Sequence, residues 1–208
     1  MTVIVTIGPT QEPLDAMRLI SNRSTGELGT LLSETLAAGG HQVIALRGTG
    51  ATASSTPLGH NKIRVIPFTT TEDLRQALQK LSRETPIHAV YHAAAVSDFY
   101  LPDAGTGKIP TKEGALTLTL EPTPKLLPNM RSWFPGARIT GWKFEVSGDR
   151  EASLSAGRAQ IADCATDACV VNGPSYGEGF GVISADGTLE HLPDRKELCA
   201  RLAERLTK

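Results

Sequence analysis

No run of apolar residues in this sequence approaches the roughly 20 needed to span a bilayer, so no membrane-crossing helix is expected. The opening stretch, Met1-Thr2-Val3-Ile4-Val5-Thr6-Ile7, lacks the basic segment and cleavage site of a signal peptide and reads as a first strand. An excess of one charge sign is also missing. The 21 Lys and Arg nearly balance the 22 Asp and Glu, for a net charge of -1. Neither nucleic acid nor a membrane surface is therefore expected as a partner. An anionic ligand would need a local set of donors. Cysteine is scarce: Cys164, Cys169 and Cys199 have no metal-like spacing and suggest no histidine partner. Reduced, mostly buried thiols in a cytoplasmic protein are the simplest expectation. The dinucleotide fingerprint G-x-G-x-x-G is absent too, which weighs against an NAD(P)-binding oxidoreductase.

What is present is an alternation of strands and helices. Residues 3–7 form a β-branched run ended by Gly8-Pro9. Residues 26–38 carry Leu28, Leu31, Leu32 and Leu36 at helical spacing, and Gly39-Gly40 stops them. Strands are expected at 42–46, 63–68, 139–142 and 168–171, and a near-continuous apolar one at 89–95. Helices are expected after a Thr70 or Thr71 cap, at 152–162, and after an Asp194 cap. Residues 180–184 and 188–192 flank a hairpin turn at Ala185-Asp186-Gly187. The pattern predicts one domain over residues 1–208, an α/β fold with a Rossmann-like, open, mostly parallel sheet flanked by helices. Residues 48–61 read as a surface loop. Residues 103–121 read as a projecting flap, and the strict alternation at 116–120 predicts a half-exposed strand there.

Four motifs stand where such a sheet binds ligands. Gly8 and Thr10 end the first strand, and Asn22 follows 14 positions after Gly8, leading into Ser24, Thr25 and Gly26 at a helix start. Free amides and the helix dipole there attract phosphate or carboxylate, although a plain capped helix explains the turn equally well. His92-Ala93-Ala94-Ala95-Val96-Ser97-Asp98 ends another strand. Ala94 and Ala95 leave room for a flat ligand against the backbone. Asp98 is a candidate for ribose, base or magnesium, and His92 reads as a hydrogen-bonded strand histidine. Gly107-Lys108-Ile109-Pro110-Thr111-Lys112 offers a lysine on a glycine-bounded loop, fit to neutralise a phosphate chain or simply to be solvated. Lys143, in Gly141-Trp142-Lys143-Phe144-Glu145, and Asn172 each follow a further strand. Taken singly, each is structural.

Taken together, the motifs resemble the phosphopantothenate–cysteine ligases, the CoaB-like half of the DNA/pantothenate metabolism flavoprotein family. Gly-Pro-Thr-Gln-Glu-Pro-Leu-Asp, then Arg18-Leu19-Ile20-Ser21-Asn22-Arg23-Ser24-Thr25-Gly26, carries most of the likeness. The order Ala-Ala-Ala-Val-Ser-Asp-Phe, Lys-Ile, Gly-x-Lys-x-Glu and Val-Asn completes it from Gly8 to about Asn172. The resemblance implies a ligase of coenzyme A synthesis. Phosphopantothenate would be activated by CTP or ATP with Mg²⁺, and cysteine would then form the amide. It implies a homodimer, Asn22 and Lys108 as catalytic residues, and a nucleotide site at Ala94, Ala95 and Asp98. The flavin-binding half of the bifunctional relatives has no counterpart in these residues, and no flavin is expected. Two departures stand out. Pro110 and Thr111 interrupt the usual lysine run, and lysines that often precede the Val-x-Asn strand are missing, with Arg158 or Lys143 as substitutes. They leave nucleotide choice open and keep a non-catalytic nucleotide-binding paralogue as the rival reading.

Overall fold

A computed structural model describes residues 1–54, 56–110 and 114–207. The chain runs β1 (Thr2–Ile7), β2 (Gln11–Pro13), β3 (Leu19–Ser21), α1 (Glu27–Ala38), β4 (Gln42–Gly48), a 3-10 turn (Thr56–Gly59), β5 (Ile63–Phe68) and α2 (Thr71–Glu84). It continues with β6 (Ala89–His92), β7 (Phe99–Tyr100), β8 (Glu121–Pro122), α3 (Leu127–Trp133), β9 (Arg138–Phe144), α4 (Arg150–Cys164) and β10 (Ala168–Asn172). β11 (Phe180–Ser184), β12 (Leu189–Leu192) and α5 (Arg195–Leu206) close it.

Eight strands form one sheet in the order β12-β11-β10-β9-β6-β1-β4-β5. The strands from β10 to β5 are parallel, and β11 and β12 are antiparallel. This is the expected Rossmann-like α/β architecture. The period-2 alternation of β1 explains its central place. Val3, Val5 and Ile7 pack on one face with Leu32 and Leu36 of α1 and Leu198 and Leu202 of α5. Ile4 packs on the other with Leu74 and Leu78 of α2 and Met130 of α3. α4 closes the same face further along, where Leu154 meets Cys169 and Val171. The helix starts follow their cap residues. Thr70 makes a capping box with Asp73, Asp149 accepts from Ala152 N, and Asp194 accepts from Lys196 N and Glu197 N.

Several expectations need correction. Residues 116–120 form no strand, because none of the described residues pairs alongside to take their hydrogen bonds; Leu116 is 52% exposed and pairing begins only at Glu121, with β7. The strand expected through Ala95 ends its ladder at His92, and Ala95 rejoins by a single bridge to Pro9. The β2–β3 hairpin and α3 were not foreseen. Their strands of 3 residues and helix of 7 are too short to display a period. Thr111 and Lys112 lie outside the described residues. Among the described residues no helix is long and apolar enough to cross a membrane. All three cysteines are free, and burial pushes the Cys169 and Cys199 thiols up to about 12.

Candidate active site at the carboxyl rim of the sheet

After β1 the chain crosses to β4 on one side, whereas β6 and β9 lie on the other. The boundary between β1 and β6 is thus the switch point at which open α/β sheets bind ligands. The two strands do not part there. Gly8 turns with φ +78°, and a Cβ at this position would stand 2.6 Å from Ala51 Cβ, so only glycine serves. Ala95 N then donates to Gly8 O (3.0 Å) and Thr10 N to Ala95 O (3.2 Å). Thr10 is wholly buried, and its Oγ1 accepts from Ser97 N at 2.9 Å. Ala94 N donates to Thr6 Oγ1 (3.0 Å). Thr6 Oγ1 also shares a hydrogen bond with His92 Nδ1, 2.9 Å away. Burial pushes His92 down to about 4 and keeps it neutral, which fits a histidine that fixes the strand end.

Asn22 follows β3 directly. Its Nδ2 donates to Val96 O at 2.9 Å, and Ser21 Oγ donates to Thr10 O at 2.8 Å. Gly8, Thr10, Asn22, Ala94, Ala95 and Asp98 therefore gather on one stretch of rim, as the motifs predicted. An amide nitrogen carries two hydrogens, so Asn22 keeps one for a ligand. Beyond it, Ser24 N donates to Asn22 O and Thr25 O accepts from Ala53 N. Gly26, at φ +77°, starts α1 without a side-chain cap, unlike α2, α4 and α5. Thr25 Oγ1 accepts from Glu27 N at 3.3 Å, and no described hydrogen bond takes the amides of Leu28 and Gly29, the kind of first-turn donors an anion site requires.

Asp98 is two-thirds exposed, forms an ion pair with Lys125, and its carbonyl accepts from Thr123 N. Lys125 was missed in the sequence; its one signal is a cation directly after Pro122-Thr123-Pro124, just past β8. Lys108 is exposed, on a strip of backbone bonded to the β2–β3 turn by Asp15, Ala16 and Arg18. Lys143 and Asn172 stand apart. They end β9 and β10, two and three strands from β1, or roughly 10 and 14 Å at ordinary strand spacing. Lys143 pairs with Glu145 at 3.1 Å, and Asn172 O accepts from Glu145 N. No described hydrogen bond joins this pair to the Gly8–Asn22 group. Nor do the described residues include three grouped His, Cys, Asp or Glu side chains able to cage a metal. With Asp98 already holding Lys125, the donors do not fit a protein-bound magnesium.

Fold and rim define an open, mostly parallel α/β domain with a topological switch point between β1 and β6. Residues 1–204 match the DNA/pantothenate metabolism flavoprotein C-terminal domain. The chain belongs to this family. The coenzyme A biosynthesis bifunctional protein CoaBC of Thermococcus kodakarensis is 32% identical, over 99% of this chain and 51% of that protein. The human phosphopantothenate–cysteine ligase is 30% identical, over 69% of this chain and 63% of that one. The chain thus spans about half the length of the bifunctional relatives it matches. A crystal structure of the DNA/pantothenate metabolism flavoprotein from Streptococcus pneumoniae has the same fold, with a TM-score of 0.87 at 23% identity, covering 100% of this chain and 98% of that one.

Proposed function

We propose that the chain is a phosphopantothenate–cysteine ligase of coenzyme A synthesis, cytoplasmic and homodimeric. The observation that carries this reading is the Asn22–Val96 bond, which sets a carboxamide donor on the rim beyond β6. In the first step a carboxylate oxygen of phosphopantothenate attacks the α-phosphorus of CTP or ATP. Pyrophosphate leaves and an acyl-nucleotide forms. In the second step the amine of cysteine attacks the acyl carbon, loses a proton, and expels the nucleoside monophosphate.

Two anions must meet in the first step, so cationic and amide donors must offset their repulsion. We assign Lys108 to that task and the Ser24-Thr25-Gly26 turn to a phosphate group. Gly8, Thr10, Ala94, Ala95 and Asp98 line the nucleotide side. Asn22 donates to the acyl carbonyl oxygen and supports the second step. Lys143 and Asn172, being further along the rim, serve the distal part of a substrate. Mg²⁺ arrives with the triphosphate, its usual carrier, rather than in a protein cage. The segment 116–120, mostly exposed and without a strand partner among the described residues, is our choice for the subunit contact.

The test is to incubate the protein with phosphopantothenate, cysteine, Mg²⁺ and either CTP or ATP, and to follow pyrophosphate and product mass. Asn22→Asp is expected to accumulate the acyl-nucleotide while amide formation slows. Normal product formation without accumulation would remove Asn22 from its role. No pyrophosphate from the unaltered chain with either nucleotide would end the ligase reading.

A further inference from the structure

Asp15 lies in the turn between β2 and β3. Its carboxylate is fully covered, although Ala16 and Met17 beside it are exposed. Oδ1 accepts from Met17 N (2.8 Å) and Arg18 N (2.7 Å), which closes the turn. Oδ2 accepts from Arg18 Nε (3.0 Å) and Nη2 (2.5 Å), and also from Ile109 N (2.9 Å), 94 positions away. Arg18 Nη2 donates in turn to Ile109 O at 2.8 Å. On the near side, Ala16 N donates to Gly107 O at 3.2 Å. The peptides flanking Lys108 are therefore both bonded to this turn, while the Lys108 side chain stays exposed.

The turn needs only the two Oδ1 bonds. The Oδ2 bond to Ile109 does nothing for the hairpin and everything for the strip that carries Lys108. The Arg18 guanidinium and the Ile109 amide hold the Asp15 carboxyl well below the usual carboxylate range, so it is charged at every pH of interest. The other end of the hairpin is fixed as well, through Ser21 to Thr10 and Asn22 to Val96. One short hairpin thus has Asn22 at its base and Lys108 tethered at its tip.

We propose that Asp15, with Arg18, is a positioning residue for Lys108: it fixes the peptides of Gly107 and Ile109 and so presents the Lys108 ammonium to the same rim that Asn22 occupies. This rests on the role assigned to Lys108 above. Misplacing a charged group by about 1 Å costs up to roughly a hundredfold in rate. Asp15→Asn is therefore expected to slow pyrophosphate release roughly ten- to a hundredfold. Amide hydrogen exchange across residues 103–110 should rise with no matching rise in the sheet. In a Lys108→Gln background the same change should add less than about twofold, because the group it positions is gone.

Ile109→Pro removes the donated N–H from an exposed loop without touching the hairpin, and serves if Asp15→Asn does not fold. It too should slow pyrophosphate release several-fold, with the thermal midpoint unchanged. Unchanged exchange over 103–110 in Asp15→Asn overturns the anchor. So does an unchanged rate in both variants, or an equal loss with and without Lys108. A wild-type chain that forms no acyl-nucleotide, yet loses protection over 103–110 in Asp15→Asn, keeps the tether but overturns both the ligase reading and the catalytic purpose given to it.

Discussion

Two long excursions leave the same end of the sheet, and they are held in different ways. Residues 8–26 are fixed to the framework throughout. Gly8 and Thr10 bond to Ala95, Thr10 to Ser97, Gln11 N to Thr69 O, Asn22 to Val96, and Thr25 to Ala53. Glu12 is buried, and its carboxylate accepts from both Thr71 N (2.8 Å) and Thr71 Oγ1 (2.6 Å). The described residues of the second, 101–110 and 114–120, have no strand or helix, and their described long-range hydrogen bonds run to the first excursion, at Asp15, Ala16 and Arg18. The order of the second is derived from the first. On the proposed reading, the first builds a surface and the second brings the Lys108 cation to it.

That contrast is open to attack at several points. The largest effect is expected from Lys108→Gln, which touches the second excursion alone. Pyrophosphate release should fall by two to three orders, about 3–4 kcal/mol of barrier, as for loss of a positioned charge-stabilising donor. Thermal stability should not change. An undiminished pyrophosphate burst in rapid quench would take Lys108 out of the first step.

Next is the floor beneath the first excursion. His92 titrates near 4 in the fold against 6.5 as a free side chain. Between those values the unfolded chain binds more protons, so stability is full above about pH 6.5 and declines as pH falls toward 4, by at most about 3 kcal/mol. His41, lowered by its own burial, titrates with the same sign. The quantity to read is therefore the difference in denaturation midpoint between wild type and His92→Asn, whose acid limb should be flatter. Parallel pH profiles would contradict a neutral, buried His92.

Gly29→Val tests how closely α1 must approach β1. A Cβ at Gly29 would lie 2.9 Å from Ile7 Cγ1, so overpacking should cost about 1–3 kcal/mol in urea unfolding. A neutral result would mean that α1 shifts freely. The smallest effect belongs to Leu116→Ser with Leu120→Ser. Both leucines are exposed, so monomer stability should hold within about 0.5 kcal/mol. Sedimentation of the same variant should show weakened self-association if 116–120 is the subunit contact. A loss above about 1 kcal/mol would mean that the segment packs on its own chain.

The sheet was legible because its strands carry strong local signals. The β-branched run before Gly8, the apolar stretch from Ala89 and the Asp186-Gly187 turn each specify their own geometry. The caps Thr70 and Asp194 did the same for helices. The rim was legible in part. Gly8, Thr10, Asn22, Ala94, Ala95 and Asp98 were named from motif order and resemblance, and the fold brings them together. Lys125 was not named, and Asp15 stood at the end of the quoted Gly-Pro-Thr-Gln-Glu-Pro-Leu-Asp motif without a role, because their partners are 27 and 94 positions away and no local pattern announces such a pairing. The alternation at 116–120 misled for the converse reason. A period of two says which faces a strand would have, but supplies no neighbour to bond with.

The Pro9–Ala95 bridge has one more effect. Because the chain stays paired past the tips of β1 and β6, a molecule arriving between them would meet peptide backbone rather than an open slot. Such a floor is smooth and nearly indifferent to what rests on it. Discrimination among ligands has to come from above, from whatever side chains the overhanging segments lower onto the exposed side.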